Sequence, residues 1–237
     1  MKSRGEIKKL ARAAIAEQRG VAISTIVLFY MIVFIGGIFS YIHPALGILV
    51  LLTIFFVDNP LGVNVCGVFI KIFNHEETRA SEILDNFPVN YLRKVGGIAW
   101  MWLFTFLWSL LFIIPGIIKG ISYSMTWFIL ADCPNVGATD ALKLSMRMTS
   151  GHKWKLFVLG LSFIGWMILW GILSLVIIVP LIFFGLPTTV ITIAASSIYA
   201  IHILPYMYAT YAGFYVELRN EALANGVIDH SELDYDF

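Results

Sequence analysis

The chain has 237 residues, of which 59% are hydrophobic and 13% charged, with a net charge of +1. Soluble domains carry about 25% charged residues, so the composition excludes one and, with a mean hydropathy of +0.84, predicts an integral membrane protein. The net charge decides little by itself and no nucleic-acid partner is expected. Cys66 and Cys133 are too few and too far apart for a disulfide framework or a zinc site.

Residues 3–19, "SRGEIKKLARAAIAEQR", read as a short amphipathic helix opened by a Ser3/Glu6 capping box. Ile7, Leu10, Ala11, Ala14 and Ile15 share one face, and Lys8, Lys9, Arg12 and Arg19 flank it. Such a helix is expected to lie in the membrane interface, apolar face down, basic side chains toward anionic lipid headgroups. Residues 1–20 are assigned to it. The run from Val21 is too long for a signal-peptide core, and no small-x-small site follows it, so no cleaved leader is expected.

Bilayer spans of ~20 apolar residues then recur through 21–218. The first covers about 21–41. The second covers about 45–73 and is interrupted by "DNP" at 58–60. The third is about 95–114, the fourth about 116–131 with Pro115-Gly116 as the turn before it, the fifth about 155–180, and the sixth about 189–217. A second amphipathic helix is predicted over about 138–150, with Met146 and Met148 buried in the leaflet and Lys143 and Arg147 at headgroups. A weaker one covers 78–87. Residues 219–237 read as a tail, its end "DHSELDYDF" disordered.

Fifteen of the sixteen Lys and Arg fall before the first span, around the loops after the second and fourth, and after the sixth. By the positive-inside rule that side is cytoplasmic, so the fold class expected is an all-α, six-span protein of the cell membrane with both termini cytoplasmic. The exception is Lys119, inside the fourth span. The return segments starting at Pro60, Lys119 and Pro205 bring Phe69, Phe128 and Phe214 into coincidence when aligned, which suggests a three-fold helical-hairpin pseudo-repeat.

Residues 137–166, "GATDALKLSMRMTSGHKWKLFVLGLSFIGW", with "IPGIIKGISYSMTWFILADCP" upstream and "LPYMYATYAGFY" near the end, resemble bacterial integral membrane proteins grouped only as a domain of unknown function. These are similar in length and six-span architecture. They look distantly like the membrane domain of some glycerophosphodiester phosphodiesterases. That likeness brings no catalytic residue across, because the hydrolase domain has no counterpart here.

No metal-ligand spacing, P-loop or nucleophile motif is present, so neither an enzyme nor a cofactor is expected. The candidate ligand-binding residues are polar groups within apolar spans: Asp58 and Asn59 before Pro60, Lys119 with Tyr123 one turn on, and His202, Tyr206 and Tyr211 around Pro205. Pro60 frees a backbone carbonyl one turn earlier, so 58–60 reads either as a binding elbow or as a turn in water after an outer-surface helix. Tyr208, Tyr211 and Tyr215 share a helix face that reads as an interfacial belt or a cavity lining. Lys119 either snorkels outward or pairs with Asp58, the one acidic residue away from the cytoplasmic side. Two functions follow from different classes. One is a protein that binds or moves a small or lipidic molecule. The other is a non-enzymatic accessory or structural subunit, in envelope maintenance or peptide immunity. The oligomeric state is not readable from the sequence.

Overall fold

A computed structural model describes residues 2–42, 51–183 and 197–233. Among them every regular element is helical. The helices are α1 (Arg4–Glu17), α2 (Arg19–Ile42), α3 (Leu51–Phe73), α4 (Glu82–Asp85), α5 (Tyr91–Leu111), α6 (Ile113–Tyr123), α7 (Thr126–Asp132), α8 (Ala138–Met148), α9 (Lys153–Phe183), α10 (Leu204–Ala224) and α11 (His230–Leu233). Leu51–Phe73, Tyr91–Leu111, Ile113–Asp132 and Lys153–Val176 are each long and apolar enough to cross a membrane, and α1 with α2, bent by 91°, makes a fifth if counted as one span. The sixth expected span falls partly outside the described residues, as do residues 45–50 of the second.

The core gathers around α3. From Pro60 onward nearly all of α3 is buried. It packs on α7 and α10, with smaller contacts to α2, α5 and α1. Small residues permit the approach. A Cβ at Gly62 would lie 2.9 Å from the Trp127 ring, and one at Gly213 of α10 would lie 2.6 Å from Cζ of Phe73. Phe69 stacks on Tyr208 and Phe128 on Tyr215. Phe69, Phe128 and Phe214, the three residues brought into register by the alignment, are all buried. Outside this core the helices turn apolar side chains outward. Leu51, Leu52, Ile54 and Phe56 of α3, the stretch from Trp102 to Ile114, and much of α9 from Ile164 to Val176 are exposed. Apolar surface on that scale marks contact with lipid or partner protein.

Several expectations are corrected. The capping box of α1 forms, Glu6 and Ser3 satisfying each other's backbone N–H. These bonds from the Ser3 hydroxyl and backbone hold the Glu6 carboxyl below its ordinary value. The apolar face of α1, however, lies on protein: Ile7, Ala11 and Ala14 are buried, and the helix packs on α10 and α3. In α8, Ala141, Leu142, Leu144 and Met148 are likewise buried against α5, α7 and α6, while Lys143 and Arg147 are exposed. The 58–60 segment is neither an elbow nor a loop in water. The helix runs through it with one π-helical turn, Ile54–Asp58, and Pro60 sits in the turn that follows. The α5–α6 hairpin turns at the extended Phe112, so Pro115 and Gly116 lie inside α6. Within 78–87 only Glu82–Asp85 is helical. Residues 228–233 dock rather than dangle, with Ile228 and Leu233 buried and Glu232 accepting from Arg147 at 2.6 Å, while residues 234–237 of the expected disordered end lie outside the described residues. Cys66 is a buried packing residue.

Candidate functional site

α9 leaves the bundle after Phe163. Leu156, Leu159 and Phe163 are buried, whereas Trp166, Leu169 and Leu173 are exposed. Between this departing helix and residues 198–206 lies a groove of about 700 Å3, within the range of ~300–1,000 Å3 common for ligand sites. Phe163, Trp166, Leu169, Trp170 and Leu173 form one wall. Ile198, Ile203, His202 and Tyr206 form the other, and Lys8, Arg12 and Ile15 of α1 close one end.

The sharp α1–α2 bend brings the basic flank of α1 to this end. Lys8 donates to Ser162 Oγ at 2.7 Å and lies 4.8 Å from the Phe163 ring centre. Arg12 lies 5.0 Å from the Tyr206 ring centre. Neither forms an ion pair among the described residues. Burial, with the nearby charges of Arg12 and Arg4, pushes the Lys8 ammonium below the ordinary lysine value. A negative group in the groove mouth relieves that repulsion. The arrangement is amphiphilic: two cations at one end, and a long aromatic and aliphatic trough beyond them.

Of the residues expected to bind a ligand, His202 and Tyr206 line this groove. His202 Nδ1 meets the Ile198 carbonyl at 3.0 Å, which fixes its ring. Tyr211 reaches the Phe163 ring from the far side and lines a smaller neighbouring cavity with Gly160. Asp58, Asn59, Lys119 and Tyr123 do not belong to the groove. Lys119 neither snorkels freely nor meets Asp58. Its ammonium sits 3.7 Å from Met146 Sδ of α8, and 4.9 and 5.8 Å from the ring centres of Trp108 and Tyr123. Aromatic faces stabilise a desolvated cation without a carboxylate. Asp58 keeps one buried carboxylate oxygen with no hydrogen-bond partner, and among the described residues neither of the two alternatives for Lys119, snorkelling or an ion pair with Asp58, is what forms. The tyrosine face is no interfacial belt either. Tyr215 is fully buried and donates to Asp132 Oδ2 at 2.7 Å, and Tyr208 stacks on Phe69. Lys8 and Arg12 were expected at free lipid headgroups. Their place beside a groove depends on α9, 150 residues on, and no local sequence pattern signals it.

A family model described as "Protein of unknown function (DUF975)" matches residues 93–222. That stretch runs from within α5 to within α10 and so includes both long walls of the groove, while α1 precedes it. No curated protein and no solved structure matches the chain.

Proposed function

We propose that this chain, which belongs to the DUF975 family of proteins of unknown function, is a six-span membrane protein, both termini cytoplasmic, that binds an anionic phospholipid in the α9–α10 groove. The observation that carries this reading is the pairing of an apolar trough with Lys8 and Arg12 at its end. Acyl chains gain from burial against Trp166, Leu169 and Leu173, and the headgroup phosphate gains from the two cations. The absence of any nucleophile or metal motif in the sequence favours binding or movement of the lipid over its chemical conversion. A cation beside an anionic membrane surface contributes about 1 kcal/mol, so two together imply roughly a 30-fold preference over a zwitterionic lipid.

Native mass spectrometry of the detergent-purified chain tests this. Phosphatidylglycerol is expected to be retained in preference to phosphatidylcholine, and a Lys8→Ala, Arg12→Ala double variant is expected to lose that preference. Leu173→Trp, which fills the trough, is expected to reduce retention of both lipids. Equal retention of the two lipids by the parent chain overturns the reading. So does a second protein chain held at the groove in place of lipid, which instead favours an accessory subunit.

The orientation has its own test. With Cys66 and Cys133 replaced by alanine, a cysteine introduced at Phe112, 73% exposed at the α5–α6 turn, is expected to react with an impermeant maleimide in intact cells. One at Asn225 is expected to react only after lysis. The reverse pattern inverts the topology, and reaction at both positions in intact cells removes the even number of spans.

A further inference from the structure

A second cavity, of about 350 Å3, opens beside the N-terminus of α5, away from the groove and lined by none of its residues. Lys94 lies in its wall and is only 4% exposed. Its ammonium donates to Asn64 Oδ1 and to the Asn86 carbonyl, both at 2.6 Å. Both acceptors are neutral, and an ammonium has three donors, so one N–H remains for the cavity. Arg93 beside it bonds the carbonyls of Leu130, Cys133 and Val136, while its buried Nε has no hydrogen-bond partner. Among the described residues no carboxylate forms an ion pair with either cation.

Of the three carboxylates on the cavity wall, Glu82 and Asp132 are paired with cations other than these two, and the exposed Glu76 is bonded to Asn74. Glu82 accepts from Lys71 at 2.7 Å, Asp132 from Arg219 and Tyr215, and Glu76 from Asn74 at 3.1 Å. Burial alone would raise the Glu82 carboxyl, but hydrogen bonds from the Lys71 ammonium and the Arg79 backbone N–H outweigh it and hold the carboxyl below its ordinary value. Buried charges are ordinarily paired. Here two adjacent cations face a polar cavity with neutral partners only, and the positive end of the α5 dipole points the same way.

We propose that this cavity is a binding site for a phosphate group, held by the free N–H of Lys94 and by Arg93. Two cations suit a dianion better than a single carboxylate, and the volume leaves room for a small substituent. The phosphate belongs either to a soluble molecule or to a lipid with a phosphomonoester headgroup.

The test uses the full chain in detergent and in nanodiscs. Inorganic phosphate, against sodium chloride at matched ionic strength, is expected to raise the melting temperature by at least ~3 °C near saturation. If instead only phosphatidic acid in nanodiscs, compared with phosphatidylglycerol, gives the rise, the lipid headgroup is the source. In either case Lys94→Gln is expected to abolish it. Because Lys94 also ties Asn64 to Asn86, a second variant guards against misfolding. Val89→Glu places a carboxylate at a cavity-wall position that is 50% exposed and takes no part in the network, so it keeps the fold and removes the response. A response that persists in Val89→Glu, or that Arg12→Ala removes, belongs elsewhere and overturns the proposal, as does no rise with either phosphate.

Discussion

Asp132→Ala is expected to cost the folded bundle about 3 kcal/mol, within the range for removing one partner of a buried ion pair. Asp132 ends α7, where the helix dipole opposes a carboxylate. It is held there by α10. Its Oδ2 accepts from Tyr215 at 2.7 Å and from Arg219 at 2.5 Å, with the Arg219 and Asp132 side chains 16% and 14% exposed. Tyr215 itself is fully buried and stacks on Phe128 of α7, ring centres 5.6 Å apart. Alanine removes the acceptor that both groups share in the α7–α10 seam. Asp132→Asn keeps an acceptor without the charge and is expected to lose about half as much, since charge-assisted bonds are roughly twice as strong as neutral ones. Arg219→Leu combined with Asp132→Leu is expected to lose less than the two single changes summed, because each single change already removes the bond between them. Denaturation in detergent gives these values. A loss below ~1 kcal/mol for Asp132→Ala, or additive losses in the cycle, would show that the seam is held by packing alone.

The helices themselves were legible because hydropathy runs and caps act locally: α2 and α5 follow their apolar stretches within a few residues, and Ser3 with Glu6 forms the predicted box. What covers each helix was not. Burial is non-directional and roughly proportional to area, so Ile7, Ala11 and Ala14 give the same pattern whether the covering surface is lipid or α10. The same holds for Leu144 and Met148 of α8. Polar residues in spans were legible as conspicuous, but their partners lie far along the chain. Tyr215 meets Asp132, 83 residues away, and Lys119 meets Met146 and two rings rather than Asp58. Aromatic faces accept a cation's charge as a carboxylate does, and Trp108 and Tyr123 supply them to Lys119. In the sequence Arg93 and Lys94 stand out only as charges that orient the chain. Asn64, a carboxamide inside the apolar second span, was the local signal that could have pointed to Lys94, since a buried amide needs partners.

Two alanine substitutions for glycine are expected to act in opposite directions. α5 and α6 are joined by a single extended residue, Phe112 at φ −159° and ψ 146°, so the two helices must touch almost at once. At Gly116 a Cβ would lie 2.8 Å from the Cα of Ser109 and 3.0 Å from its Cβ. The Ser109 Oγ, nearer still, can rotate away, but the backbone Cα cannot, so the hairpin has to open. Overpacking of this kind costs about 1–3 kcal/mol, and Gly116→Ala is expected to lose about 2 kcal/mol, with only partial rescue from Ser109→Ala, which removes the Oγ contact while Cα and Cβ remain. Gly165, in the middle of α9, has nothing within 4 Å of an added Cβ. Alanine there removes only the entropic cost of glycine in a helix, so a gain of about 0.5–1 kcal/mol is expected. Melting curves of the two variants in the same detergent decide both signs. A gain at Gly116 would mean that the hairpin is looser than its backbone geometry. A loss at Gly165 that grows with dilution of the protein would mean that another chain packs against α9, and would favour a subunit of a larger assembly over the proposed lipid binding.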